Sequence, residues 1–273
     1  LWNIYSFFCT YANVDKFEPD TQKINPKDYT LLDKWIIAKV NLLIKESSIH
    51  YDRFEADKLL KKIELFIDDL SNWYIRRNRR RFWKSENDKD KFVAYQTLYE
   101  VLLSVIKILS PILPFVTEHM YKNISKEKCE SVHLSPYPDF DEKKIGSELL
   151  KKVDVLKKVM EGGRAARKKA NVKVRQPLSE IKIYENDSNI AEFIMNQKEI
   201  ILDELNIKKI TITDQIEMMG SFTIKPNFKT LSSKFGENMQ EIVKIISTMD
   251  EYSTIRKYLH NEKLFSEDFD IIN

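Results

Sequence analysis

The chain has 273 residues, enough to bury a substantial hydrophobic core in one large domain or two modest ones. Apolar residues make up 42% of the sequence and charged residues 32%, which is typical of a highly charged globular protein and excludes a disordered tail. Only 5 glycines and 8 prolines occur, so helices are favoured over turn-rich all-β folds. The net charge is only +3, and a nucleic-acid surface therefore requires local clustering of basic residues.

Cysteine, histidine and glycine patterns give little support for a cofactor or for catalysis. Cys9 and Cys129 are far apart and no CxxC pair occurs, so we expect no zinc site, no disulfide scaffold and a reducing, cytoplasmic setting. The four histidines show no metal-ligand spacing, and no glycine-rich phosphate loop is present. No apolar run approaches the about 18 residues of a membrane span. The first residue is Leu within a helical pattern, which we interpret as a fragment of a longer protein.

Apolar residues recur at helical spacing through the first 170 residues of the chain. Thr30 and Asp33 are placed as a capping box at the start of the second helix. Because long amphipathic helices with short connections pack as antiparallel neighbours, this pattern predicts an antiparallel helical bundle. The predicted helices cover residues 1–13, a segment from Thr30, a segment from Phe54, and residues 91–109, 115–124 and 142–170.

The pattern changes after Pro177, where short alternating segments replace the long helices. Strands are predicted at residues 181–184, 207–212 and 222–225, with helices at 189–205 and 237–248. The predicted fold class is therefore mainly α, an antiparallel helical bundle followed by a small α+β C-terminal module. The predicted domains are residues 1–177 and 178–273.

The most informative segment is residues 71–84, SNWYIRRNRRRFWK. Six of the nine residues from 76 to 84 are basic and none is acidic. Guanidinium groups match the geometry of phosphate oxygens, and Trp83 and Phe82 offer stacking faces to unpaired bases. The segment therefore predicts an RNA surface, and the alternative is a solvated basic helix face, which is what charge runs usually are.

Helical geometry divides this segment into two sides. At about 100° per residue, Arg77 and Arg81 continue the buried stripe of the third helix, so we expect them to pair with carboxylates at the end of the bundle. Trp73 and Tyr74 lie on or beside that stripe and are predicted core residues. The better RNA candidates point to the opposite side and are Arg76, Arg79, Arg80 and Trp83.

A second basic segment is residues 163–178, GRAARKKANVKVRQPL, in which no acidic residue occurs. Arg164 and Lys168 are one turn apart on a helix, so one face is basic while Gly163, Ala166 and Ala170 are free to pack. Two basic segments without acidic residues favour contacts with the phosphates of an RNA stem. A solvated, lysine-rich face is again the alternative.

Taken together, these segments resemble the C-terminal part of isoleucyl-tRNA synthetases of the type found in eukaryotic cytosol and some bacteria. The block NWYIR followed by ANVKVRQPL is specific to that group, whereas LYEVL and PFVTE also fit valyl, leucyl and methionyl relatives. The resemblance covers nearly the whole chain. The matching stretches are residues 32–36, 71–83, 98–102, 109–118, 131–138, 163–178 and 225–231.

This resemblance implies an anticodon-binding bundle that docks the anticodon stem-loop of tRNA-Ile. The whole enzyme would join isoleucine to its tRNA with ATP and Mg²⁺ in catalytic and editing domains that this chain lacks, so we expect no activity and no cofactor here. We expect a monomer without a membrane partner. The chain departs from the bacterial type that ends in a zinc module. The candidate tRNA-binding residues are Arg76, Asn78, Arg79, Arg80, Trp83, Lys84, Arg164, Arg167, Lys168, Lys169, Lys173 and Arg175.

Three other interpretations stay open at this point. The chain is alternatively a protein-interaction scaffold within a synthetase assembly, which predicts a large exposed apolar patch on residues 178–273. It is alternatively the equivalent domain of a valyl-, leucyl- or methionyl-tRNA synthetase. A free-standing enzyme requires a catalytic cluster that the sequence does not show.

Overall fold

The computed structural model describes residues 1–84, 86, 88–219, 223–226, 239–259 and 269–272. The chain divides into two compact units, Leu1–Val153 and Asp154–Asn273. The fold is mainly helical with a small parallel sheet, which confirms the predicted fold class. The unit boundary falls inside a long helix, and the predicted domain boundary after residue 177 stays a prediction.

The first unit is built around one central helix. This helix, α5 (Lys89–Leu109), contacts four other helices in the unit. A second layer of contacts joins α2 (Leu31–Asp52) to α3 (Ala56–Asp68). The predicted helices are confirmed, except that the last begins at residue 147 rather than 142, after a short 3₁₀ turn at Glu142–Lys144. The helices are α1 (Trp2–Val14), α2 (Leu31–Asp52), α3 (Ala56–Asp68), α4 (Arg76–Trp83), α5 (Lys89–Leu109), α6 (Pro114–Ile124) and α7 (Ser147–Lys169), which continues into the second unit.

Among the described residues, α5 is the one helix long and apolar enough to cross a membrane. In its most apolar stretch, 83% of the residues are buried inside the protein. Packing against α1, α2, α4 and α6 accounts for that apolar surface. We therefore interpret α5 as the core helix of the bundle.

A π-helical stretch, Asp69–Ile75, joins α3 to α4. One row of buried residues here recurs every four residues, at Phe66, Leu70, Tyr74, Asn78 and Phe82. On an α-helix a spacing of four drifts by about 40° at each step, because one turn holds only about 3.6 residues. A π-helix has wider turns and absorbs that drift. The stretch thus keeps α4 facing the core, and our sequence analysis, which assumed uniform α-helix geometry, did not predict it.

A buried carboxylate ties α2 to the helical segment that ends in α4. Asp33 has 0% exposure, and its Oδ2 accepts hydrogen bonds from the Thr30 amide at 2.9 Å and the Thr30 hydroxyl at 2.7 Å. Its Oδ1 accepts from the Tyr74 hydroxyl at 2.7 Å and from the Arg81 guanidinium at 2.9 Å. Burial, together with the Asp33 charge, raises the pKa of Tyr74 well above its ordinary value, so its hydroxyl stays a donor. The predicted capping box is confirmed.

Substitution of this carboxylate tests how much the fold depends on it. Asp33→Asn removes one of the two carboxylates that pair with Arg81. We therefore expect the free energy of unfolding to fall by about 3 kcal/mol. Urea denaturation followed by circular dichroism measures this change. Asp57→Asn, at an exposed site in the first turn of α3, is the control. Equal stability of the two variants would contradict the role of Asp33.

A second carboxylate fixes the loop of residues 131–138. Glu118, in α6, accepts hydrogen bonds from the Ser131 hydroxyl and the Val132 amide, both at 2.9 Å. Lys122 forms an ion pair with the same side chain at 2.8 Å. The hydrogen bond from Lys122, followed by those from Val132 and Ser131, lowers the pKa of Glu118 to about 2. The contacts that hold the loop on α6 are therefore strongest while Glu118 is ionised.

This lowered pKa predicts a pH dependence of stability. Since the folded-state pKa lies below the ordinary value of 4.5, the stabilisation is complete above about pH 4.5 and is lost as the pH falls towards 2. We expect the difference in urea midpoint between the wild type and Glu118→Gln to be widest at pH 6 and to narrow steadily towards pH 3. A difference that does not change with pH would contradict this account.

The second unit contains a parallel pair of strands with two helices between them. Strand β1 (Ile181–Tyr184) pairs with β2 (Ile210–Thr213), with Ile181 opposite Ile210. The helix predicted over 189–205 is wrong as one helix, because Gln197 leaves helical geometry and separates α8 (Ser188–Asn196) from α9 (Lys198–Leu205). The strand predicted from residue 207 begins at 210, and Ile207 makes only an isolated bridge to Leu178.

Further elements follow β2 along the chain. A 3₁₀ turn at Ile216–Met219 precedes β3 (Thr223–Pro226), which is antiparallel to β4 (Phe269–Ile272). Helices α10 (Met239–Thr248) and α11 (Glu251–Leu259) lie between these strands in the sequence. The predicted start of a strand at 222, the predicted start of a helix at 237 and the motif residues 227–231 lie outside the described residues.

Candidate nucleic-acid interface

Helix α4 presents an exposed basic side, as the helical geometry predicted. Its inner side carries Asn78 and Phe82, both buried. Arg77 and Arg81 are half-buried between the two sides. The outer face, the name used below for α4's exposed residues, consists of Arg76, Arg79, Arg80 and Trp83.

An aromatic ring forms part of this outer face. Trp83 is 52% exposed, and the Arg79 guanidinium carbon lies 5.6 Å from the centroid of its ring. The centroid of the Tyr11 ring in α1 lies 6.3 Å from that of Trp83. A guanidinium cation and two aromatic rings therefore lie next to one another at the surface, from Arg79, Trp83 and Tyr11. Tyr11 was not predicted as part of this surface, although it lies in the aromatic-rich segment of residues 1–13.

The two half-buried arginines have structural partners. Arg81 pairs with Asp33 at 2.9 Å and with Asp90 at 2.8 Å, which confirms the predicted carboxylate pairing. Burial alone would lower the pKa of Arg81, but its hydrogen bond to Asp33 and the negative charges of Asp33 and Asp90 outweigh that effect and raise it. Arg77 lies 4.2 Å above the ring of Trp73. Arg81 thus anchors α4 to the core.

The structure corrects two candidates from this segment. Asn78 is buried, donates from Nδ2 to the Tyr74 carbonyl at 2.9 Å and accepts from Arg81 at 3.2 Å, so it is not placed to touch a base. The ammonium of Lys84 pairs with Asp88 at 2.6 Å and Asp90 at 3.0 Å. Two carboxylates already neutralise the ammonium of Lys84. Neither Asn78 nor Lys84 is therefore proposed as an RNA contact.

The second segment belongs to the second unit and also divides into surface and interior residues. Arg164 is half-buried and forms an ion pair with Glu204 of α9. Arg167 is 3% exposed, which corrects its assignment as a surface contact. The exposed basic residues are Lys168 and Lys169 at the end of α7 and Lys173 and Arg175 in the loop that follows.

The described residues contain no group of three His, Cys, Asp or Glu side chains that would hold a metal ion. A cavity of about 220 Å³ lies beside α5, and the acid Asp15 and the base Lys91 that line it pair with each other at 2.7 Å.

Comparison with known proteins decides the family. Residues 33–183, more than half of the chain, match the family described as the anticodon-binding domain of tRNA ligase. The chain belongs to this family. The match includes both basic segments, the outer face of α4 and the exposed residues that follow α7.

Curated relatives of this anticodon-binding domain are isoleucine–tRNA ligases. The chain is 40% identical over 271 residues to that of Clostridium tetani and 38% identical over 272 residues to that of Clostridium novyi, and both alignments cover 97% of the chain. The ligase of Treponema denticola is 36% identical over 261 residues, or 91% of the chain. The chain spans about a quarter of the length of these relatives.

The two kinds of arginine in α4 are expected to differ in their effect on stability. Arg81→Ala leaves Asp33 buried without its cation, so we expect the free energy of unfolding to fall by about 3 kcal/mol or more. Arg80→Ala, at an exposed site, is expected to change it by less than about 0.5 kcal/mol. Chemical denaturation of the two variants measures the contrast, and similar losses would show that the outer face is structural.

Proposed function

We propose that this domain binds the anticodon stem-loop of tRNA-Ile as part of an isoleucine–tRNA ligase, acting as a monomer in the cytoplasm. The observation that carries the proposal is the outer face of α4, where arginines and a tryptophan ring are exposed within a chain of the anticodon-binding family. The similarity to isoleucine–tRNA ligases supports tRNA-Ile over the tRNAs of valine, leucine and methionine.

Phosphate contacts supply most of the affinity in this proposal. Arg76, Arg79 and Arg80 lie within five residues of one helix, and residues 76–84 contain no acid that would repel the RNA backbone. Guanidinium groups bind phosphate oxygens through paired hydrogen bonds. The exposed basic residues of the second unit add further phosphate contacts, and these are Lys168, Lys169, Lys173 and Arg175.

Trp83 provides the contact to an unpaired base. Anticodon bases are unpaired in a loop, and RNA-binding proteins stack such bases on aromatic rings. Arg79 and Tyr11 lie close to the ring of Trp83, so it is restrained before RNA arrives. Base stacking of this kind contributes about 1–3 kcal/mol per base.

Recognition, rather than chemistry, is the role that we propose for this chain. In this proposal ATP and Mg²⁺ are used by other parts of the ligase, because the chain spans only about a quarter of the length of the ligases that it matches. The scaffold alternative required a large apolar patch on residues 178–273. Among the described side chains of that range, the large exposed apolar ones are Met195 and Ile245, which does not favour a scaffold.

Salt-titrated binding of the whole chain to a tRNA-Ile transcript tests this proposal. Arg80→Glu removes a phosphate contact, so we expect about tenfold weaker binding and a slope of log K against log salt that is shallower by about 1. Trp83→Leu removes stacking without removing charge. We expect it to weaken binding by about tenfold with the slope unchanged.

Lys61→Glu is the matched control for charge reversal. Lys61 is exposed on α3, nineteen residues before Arg80 along one continuous helical segment and roughly 28 Å away at about 1.5 Å per residue. If Arg80→Glu behaved like Lys61→Glu, or if Trp83→Leu bound as tightly as the wild type, the outer face would not be the anticodon surface.

A further inference from the structure

The guanidinium of Arg167 donates its hydrogen bonds to backbone carbonyl groups and does not face the solvent. Its first terminal nitrogen donates to the carbonyls of Lys173 at 3.1 Å and Gln176 at 2.9 Å. The second donates to the carbonyls of Leu205 at 2.7 Å and Asn206 at 3.0 Å. The four bonds use all four terminal N–H groups, and the remaining Nε is buried. Its guanidinium is therefore not available to an RNA phosphate.

The carbonyls that Arg167 binds belong to two separate segments. Leu205 and Asn206 end α9, where carbonyl groups lack partners within the helix and a positive charge is favourable. Lys173 and Gln176 belong to the loop that follows α7. Only a planar group with several fixed donors reaches both sets at once, which an ammonium does not do.

Other contacts hold α7 against α9 beside this arginine. A Cβ on Gly163 would lie 2.5 Å from a terminal methyl group of Leu205, so a larger residue there would force the Leu205 side chain to shift. Arg164, one residue later, pairs with Glu204. Gly163 packs as predicted, whereas the packing predicted for Ala166 and Ala170 is wrong, because both are exposed. Arg167 thus lies where α7 and α9 are closest together.

Additional hydrogen bonds fix the same loop. Asn171 has a positive φ of 54° and ends α7, and the Val172 amide donates to the Arg167 carbonyl at 2.9 Å. The Asn206 side-chain amide donates to the Val174 carbonyl at 2.9 Å. The backbone is therefore held at several points while the side chains of the loop's two basic residues, Lys173 and Arg175, stay exposed.

We propose that Arg167 is a positioning residue that holds residues 171–177 in one conformation, so that Lys173 and Arg175 meet RNA phosphates already in place. The RNA part rests on the proposed function, whereas the clamp itself does not. Binding by a loose loop would cost the free energy of ordering its backbone and long side chains. In a loop that Arg167 holds in place, this ordering has already happened during folding. Lys173 and Arg175 can therefore bind phosphates without that cost in free energy.

The clamp is tested without RNA by hydrogen exchange of Arg167→Lys. Lysine keeps the charge but cannot donate to four carbonyls, so exchange of the Val172 and Gln176 amides should accelerate by about tenfold or more. Protection of the Ile181 and Ile183 amides in β1 should persist, which shows that the unit is folded. Unchanged exchange at Val172 and Gln176 would overturn the clamp.

The RNA part is tested by a double-mutant cycle with the whole chain and a tRNA-Ile transcript. We expect Arg167→Lys to weaken binding by about tenfold in the wild-type background but by less than about twofold in the K173Q/R175Q background. Lys158→Gln removes one positive charge at an exposed site on the same helix. It is the control for the loss of charge in the K173Q/R175Q variant.

Each other outcome of the cycle overturns the RNA part. Equal losses in both backgrounds would mean that Arg167 does not act through the loop, and wild-type affinity of K173Q/R175Q would mean that the loop does not bind RNA. If the wild-type chain bound no tRNA at low salt, the proposed function would fail with it, while the hydrogen-exchange result would still decide the clamp.

Discussion

The carboxylate of Asp33 is the contact on which the arrangement of the first unit depends. A buried charge is tolerated only when it is fully paired, and here four hydrogen bonds from Thr30, Tyr74 and Arg81 surround it. Two of those partners lie on either side of the junction between the π-helical stretch and α4. The start of α2 therefore fixes the rotation of α4 about its axis. This buried contact thereby also determines the direction in which the exposed arginines on the other side of α4 point.

Arginine has two distinct roles in this chain, and its fork of donors explains both. Arg81 and Arg167 are turned inward, where they bind a carboxylate pair and four carbonyls respectively. Arg79 and Arg80 are turned outward and are available to phosphates. The same property, several donors in one plane, organises the protein in the first case and recognises a ligand in the second. A basic segment is therefore a mixture of structural and binding residues.

Sequence patterns predicted the helices well because their apolar spacing was regular and long. The capping box at Thr30 and the outward side of α4 were also predictable, since both follow from local geometry. The π-helical stretch was not predicted, because a spacing of four departs from an α-helix only slightly at each step. The break at Gln197 carries no glycine or proline and was missed for that reason.

The site was predictable as two segments but not residue by residue. Asn78 and Lys84 lie within a basic run, yet their contacts with Tyr74, Asp88 and Asp90, only four to six residues away, decide their roles. Arg167 is the instructive case, because it lies four residues after Gly163 and hence on the packed side of α7. That spacing was a signal of burial. What no local pattern supplied was its set of acceptors, which includes carbonyls almost 40 residues further along the chain.

Whether this domain reads the anticodon is tested most directly by one binding comparison. The whole chain is titrated with a tRNA-Ile transcript and with a matched transcript in which only the anticodon is exchanged, at several salt concentrations. The account predicts salt-sensitive binding to both, from phosphate contacts, with clearly weaker binding to the exchanged anticodon. Equal affinity for the two transcripts would contradict anticodon reading by this chain, and no binding at low salt would contradict RNA recognition altogether.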